Sequence, residues 1–103
     1  MKVDPSEQSK QDVLDIALYI AEDNKSSAVR FLERVEETYL MISDFPDIGH
    51  PPFFDFVVGL QTVPIKGFAG YNVFYRIVDE IIRIDRVSHN SRDLPNLFKL
   101  DKR

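Results

Sequence analysis

The chain has 103 residues, 44% of them hydrophobic and 29% charged, with a net charge of −4 and no cysteine. That length fits one domain, residues 1–103, around a single modest core, and the absence of thiols excludes disulfide and thiolate chemistry. The longest apolar runs fall far short of a ~20-residue span and MKVDPSEQSKQ has no apolar signal core, so the expectation is a cytoplasmic protein with no membrane role.

Asp4-Pro5-Ser6-Glu7 reads as a helix start, with Asp4 as cap, Pro5 in the first turn and Ser6 as a rival cap. Val13, Ile16, Ala17 and Ile20 then recur at helical spacing, and the helix should end near Glu22. Asp23 or Asn24 caps a second helix whose stripe is Ala28, Leu32, Val35, Tyr39 and Ile42, with Phe31 beside it. Pro46 stops that helix, because the residue before a proline is pushed out of helical backbone. A very short link between two helices of similar length makes an antiparallel hairpin.

The breaker segment Phe45 to Pro52 holds three of the six prolines. Beyond it the period changes to two. Val57 to Lys66 reads as a strand interrupted by Gly59 and Pro64, and Gly67 to Gly70 as a turn. Tyr71 to Val78 alternates cleanly, Asp79-Glu80 makes a tight turn without the favoured glycine, and Ile81 to Val87 is the last strand. The fold class is therefore α+β: an N-terminal antiparallel helical hairpin packed on a small 3–4-stranded antiparallel sheet.

Charge divides along the chain. Residues 1–55 carry five basic and twelve acidic side chains, and residues 56–103 eight basic and five acidic. A net-negative protein has no global attraction to a polyanion, so direct DNA binding is not expected. The basic groups gather on the last strands as Arg76, Arg83, Arg86 and Arg92, and His89 and Asp93 stand among them. Cleavage of RNA needs a base and cations on the phosphate, which His89 and Arg76, Arg86 and Arg92 could supply. The plainer reading is that His89, Arg92 and Asp93 hold the C-terminal segment through a histidine hydrogen bond and an arginine–carboxylate pair. By strand alternation Arg76 faces away from Tyr71, Val73 and Tyr75. Arg83 shares a face with Asp85, and Arg86 shares one with Ile82 and Ile84, so one arginine cluster cannot form. His50 is a loop residue. With it and His89 as the only histidines no metal site is expected, and no cofactor. Phe53, Phe54 and Phe56 cannot all point inward, and two readings stand: an exposed ring that marks a partner surface, or simple filling of the core. Glu33, Glu36 and Glu37 form an acidic helix face, either solvated or met by a basic partner segment.

Several stretches recur in a telling order: Asp12 with Ile16, Tyr19 to Asn24, Ala28 with Phe31-Leu32, Phe45 to Gly49, Pro64 to Phe68, Tyr71, Phe74 to Arg76, and Val87 to Asp93. From about Ser6 to Leu97 their order and spacing resemble the ParE branch of the ParE/RelE toxin superfamily of type II toxin–antitoxin modules. The family's first strand precedes its first helix, and only Met1 to Pro5 remain here to form it. Where that family often has an arginine, this chain has Gln61. The resemblance implies the RelE/ParE-like fold and a plasmid-stabilisation type of toxin. A ParD-like ribbon-helix-helix antitoxin would neutralise it, its flexible tail wrapping the toxin, and DNA gyrase would be inhibited by binding without catalysis. The alternatives it implies are a RelE-type, ribosome-dependent mRNA endoribonuclease and a degenerate, non-toxic antitoxin binder. The antitoxin's tail is expected in the groove between the helical hairpin and the sheet edge, with a stunted first strand leaving edge for strand addition.

Overall fold

Along the described residues the order is β1 (Lys2–Pro5), α1 (Glu7–Asp23), α2 (Lys25–Asp44), β2 (Gln61–Pro64), β3 (Tyr71–Val78), β4 (Ile81–His89) and α3 (Leu94–Asp101). The computed structural model describes residues 1–55 and 57–101.

Ser6, not Asp4, caps α1: its Oγ accepts the Ser9 N–H at 3.0 Å. Asp4 and Pro5 are drawn instead into β1, which pairs in parallel with Ile81 to Ile84 of β4. The expected purely antiparallel sheet is thus a mixed one, of order β1-β4-β3-β2, in which β2–β3 and β3–β4 are antiparallel. The reason is topological. The helical hairpin carries the chain from β1 to β2 at the far edge of the sheet in the same direction, and the two antiparallel turns that follow return β4, again in that direction, to lie beside β1.

Asn24 alone links the helices. Its N–H closes α1 on the Ile20 carbonyl, and its side chain caps α2 by accepting from Ser27 N–H at 3.1 Å. Ala28, Phe31, Val35, Tyr39 and Ile42 of α2 are buried, while Leu32, expected in that stripe, lies 42% exposed and Phe31 takes the centre. Val13, Ile16 and Ile20 of α1 pack against the same cluster, which the sheet completes with Val63, Val73, Tyr75, Ile82, Ile84 and Val87. Fully burying a side chain such as Phe31 contributes roughly 1.5–3 kcal/mol.

The strand expected from Val57 to Lys66 is cut to Gln61–Pro64. Gly59 adopts φ +77° and the Leu60 N–H closes on the Val57 carbonyl, which makes residues 57–60 a turn. Asp79 and Glu80 both take positive φ (53° and 62°), the left-handed pair that a two-residue hairpin between twisted strands requires. Between them and His89 the ladder slips. Tyr75 pairs with Ile84 but Phe74 with Arg86, so Asp85 is an extra, bulged residue.

A second, smaller cluster lies apart from the helical hairpin: Phe54, Leu60, Phe74, Leu94 and Phe98, with Val57 and Leu97 beside it. It rests on α3, an element the periodicity reading passed over although Leu94, Leu97 and Phe98 are spaced for a helix.

Candidate functional site

The arginines of the two long strands are held by the chain's own carboxylates. Arg76 grips Asp85 through Nε at 2.6 Å and Nη2 at 3.1 Å. These hydrogen bonds strengthen its hold on its proton, partly offset by burial. Arg83 meets Asp4 of β1 at 3.1 Å, so its partner is on the neighbouring strand, not Asp85. Arg86 is bound to Asp12 of α1 by Nε at 2.8 Å and Nη2 at 2.9 Å, with only 8% and 9% of the two side chains exposed. The three arginines are held by separate carboxylates, but the face expected for Arg86 is overturned: Val87, not Arg86, joins Ile82 and Ile84 towards the hairpin, and Arg86 pairs with Phe74 on the other face. The Asp85 bulge, which alternation cannot foresee, stands between Arg83 and Arg86.

Asp12 also accepts the Val87 N–H at 3.1 Å, and Ser6 binds the Ile84 and Asp85 carbonyls, N–H at 3.0 Å and Oγ at 3.1 Å. Past the end of β1, therefore, the β4 edge through Val87 is met by the start of α1. The edge expected to stand open for strand addition is already partnered there. What remains between α1 and β4 is a cleft of about 420 Å³. Asp15, Ile16 and Tyr19 line it from α1, and Tyr71, His89 and Arg92 from the sheet and the loop that follows.

His89 is tied to that loop. The Ser91 N–H lies 3.0 Å from its Nδ1, and the Ser91 hydroxyl 2.9 Å. A main-chain amide can only donate, so Nδ1 accepts and the neutral ring carries its proton on Nε2. The ring stacks edge-on to Tyr71, centroids 4.7 Å apart, and lies over Gly70 so closely that a Cβ there would come within 2.5 Å of Nε2. The lone pair a general base would use is already engaged.

Arg92 is exposed, and among the described residues its guanidinium has no carboxylate partner. The expected Arg92 ion pair with Asp93 or another carboxylate is absent because Asp93 does other work: its Oδ1 reaches the Asn96 N–H at 3.4 Å, capping α3. Phe53 is 80% exposed and Phe54 buried, their rings in an edge-on pair 5.2 Å apart. Phe56 lies outside the described residues.

Sequence reasoning missed Asp12 as a clamp and Tyr75 as a pin. The Tyr75 hydroxyl donates to the Pro46 carbonyl at 2.7 Å and accepts from Gly49 N–H at 3.0 Å, with Gln61 Oε1 at 3.2 Å. A Cβ on Gly49 would lie 2.7 Å from that hydroxyl and 2.8 Å from Gln61 Cβ. The Phe45 to Gly49 stretch therefore reflects one buried tyrosine, and the only advance signal was the glycine itself.

Comparison with known proteins agrees with this architecture. The profile of the family described as ParE toxin of type II toxin-antitoxin system, parDE, matches residues 3–94. A solved structure described as the chromosomal ParDE TA system from P. aeruginosa superposes with a TM-score of 0.71 at 16% sequence identity. The match covers 86% of this chain and 95% of that one, a likeness of fold. No curated protein sequence matches significantly.

Proposed function

We propose that this chain, which belongs to the ParE toxin family of type II toxin–antitoxin systems, acts by binding DNA gyrase without chemistry of its own and is neutralised by a cognate antitoxin. The observation that carries the non-catalytic reading is the pairing of Arg76, Arg83 and Arg86 with Asp85, Asp4 and Asp12. A ribonuclease of this architecture would need those cations on a scissile phosphate, and withdrawing Arg86 from Asp12 would leave a buried carboxylate uncompensated. The engagement of His89 Nδ1 with Ser91 points the same way.

An antitoxin partner of ParD type is supported by the outer surface of the hairpin. Leu14, Leu18, Val29 and Leu40 are each more than half exposed, and Glu33, Glu36 and Glu37 stand in solvent among them. Apolar side chains set in an acidic field suit a basic, amphipathic segment that orders on binding. The charged cleft at Asp15 and Arg92 continues that surface towards the sheet.

The test is a supercoiling assay with purified gyrase beside a ribosome-dependent mRNA cleavage assay. Supercoiling is expected to fall as the protein is added, and to be restored when the antitoxin is premixed. Undiminished supercoiling together with cut mRNA would reject this reading in favour of the endoribonuclease.

A further inference from the structure

A groove of about 380 Å³ shares no lining residue with the α1 cleft. Phe74 and Leu94, members of the smaller cluster, form part of it, and Pro52 and Phe53 wall it. Among the described residues no ionisable side chain lines it, in a chain whose surface is otherwise densely charged. A ligand bringing a charge into such a wall would bury it unpaired, at a cost an uncharged ligand avoids.

One of its polar groups is orphaned, and two others keep hydrogen-bonding positions that the fold does not use. The Thr62 hydroxyl is buried with no hydrogen-bond partner. Asn72 commits its NH₂ group to the Gly70 carbonyl at 3.2 Å and to Asn90 Oδ1 at 2.6 Å. That leaves the Asn72 oxygen and the Asn90 NH₂ group to a ligand. An acceptor, a donor and an unpartnered hydroxyl in one lining supply the kinds of partner that the N–H and C=O groups of an extended main chain require. Phe53, 80% exposed at the rim, offers an aromatic surface to one apolar side chain of that segment.

The geometry points to this groove as the docking site for an extended, uncharged segment of the toxin's target protein, an inference that rests on the gyrase-binding reading above. The antitoxin is the poorer occupant, because the acidic hairpin calls for a basic segment and this groove offers no countercharge.

Phe53→Ser and Thr62→Val, made separately in the full chain, test it. Each is expected to weaken inhibition of purified gyrase about tenfold, the scale on which an interface anchor acts. The complex with antitoxin on size-exclusion chromatography should persist in both. The melting temperature should stay level for Phe53→Ser and level or higher for Thr62→Val, since the valine removes an orphaned hydroxyl. A merely structural Thr62 would raise the melting temperature and leave inhibition alone. Full inhibitory potency in both variants overturns the proposal, as does loss of the antitoxin complex with inhibition retained, which would assign the groove to the antitoxin. Should the unsubstituted protein leave supercoiling intact, the gyrase reading fails by itself. Growth arrest on induction then decides: weaker arrest by the variants at equal expression sustains the groove, and arrest equal to that of the unsubstituted protein overturns it.

Discussion

The Asp12 carboxylate holds the Arg86 guanidinium at 2.8 and 2.9 Å across 74 positions of sequence, joining the first helix to the last strand. Because the same carboxylate takes the Val87 N–H, it stands in for a neighbouring strand at the point where β1 stops. Both partners are buried, and removing one member of a buried pair costs roughly 3–5 kcal/mol. Asp12→Ala should therefore destabilise the fold by about that much, read by denaturant titration. Asp12→Leu combined with Arg86→Met should recover much of the loss, since apolar replacement of a whole buried pair is often neutral or better. A loss below about 1 kcal/mol for Asp12→Ala would mean that α1 is anchored elsewhere.

Stability should fail on the alkaline side in a particular way. Burial raises the affinity of Tyr39, Tyr71 and Tyr75 for their phenolic protons; Glu36 and Asp12 add to the effect at Tyr39, Tyr19 at Tyr71 and Asp47 at Tyr75. At Tyr75 the Gly49 amide opposes it. The unfolded chain loses these protons near pH 10 and the folded chain only above that. The tyrosines' contribution is whole below about pH 10 and declines as pH climbs towards the folded values. Tyrosinate absorbance followed with circular dichroism should show part of the phenolic titration arriving only with unfolding. Loss of the phenolic protons of Tyr39, Tyr71 and Tyr75 near pH 10, ahead of any loss of structure, would contradict the burial.

The hairpin turn carries strain that one substitution relieves. Glu80 sits at φ +62°, a left-handed conformation that costs an ordinary L-residue roughly 1–2 kcal/mol. Glu80→Gly supplies the Asp-Gly pair that this turn prefers, and part of the gain is offset by the flexibility glycine adds to the unfolded chain. A net stabilisation of up to about 1 kcal/mol is expected, seen as a higher denaturant midpoint at unchanged slope. A lower midpoint would place the turn in another conformation.

The hairpin helices and the two long strands were legible because their apolar periods, 3.6 and 2, are carried by residues that the core does bury: Val35, Tyr39 and Ile42 in one case, Val73, Tyr75, Ile82 and Ile84 in the other. The errors lie where a distant contact overrides a local cue. Asp4-Pro5 is a sound helix start, yet Ser6 takes the cap because Lys2–Pro5 pairs with a strand nearly eighty residues later. Leu32 has the spacing of a core residue, yet the helix rotates to seat Phe31, which stacks on Phe68 and Tyr71. The Asp85 bulge and the Asp12–Arg86 clamp have no signature in local sequence. Asp93 stands out in the sequence by its charge, yet its position before Leu94, Leu97 and Phe98 marks the start of α3.

The loop between α2 and β2 depends on one hydroxyl. Tyr75→Phe removes the group shared by Pro46 and Gly49, leaving a partly buried carbonyl and amide to find other partners, and should cost about 1–3 kcal/mol. Gly49→Ala should cost a comparable amount by a different route, because its methyl meets the Tyr75 hydroxyl and Gln61 Cβ at 2.7 and 2.8 Å. Combining them tests the contact itself. The Phe removes the oxygen nearest the methyl, so the double variant should be more stable than the sum of the two losses predicts, by at least about 0.5 kcal/mol. Strict additivity would show that the methyl is accommodated without touching the tyrosine.

Arg92 separates a structural from a binding role in the C-terminal loop. Its guanidinium holds no carboxylate among the described residues, whereas the loop around it is secured by Ser91 on His89 and by the Arg92 N–H on the His89 carbonyl. Arg92→Ala removes neither link, so the melting temperature should stay within the shift of an ordinary surface substitution, about 0.5 kcal/mol. If the α1 cleft receives a partner's acidic or main-chain group, the same variant should weaken the antitoxin complex severalfold, more so at low salt, where an exposed charge is least screened. His89→Ala makes the converse case: it takes the acceptor from Ser91 and the ring from Tyr71, and should loosen the loop before it alters affinity. A large drop in melting temperature for Arg92→Ala, with affinity unchanged in the fraction that folds, would return Arg92 to the role of a strut.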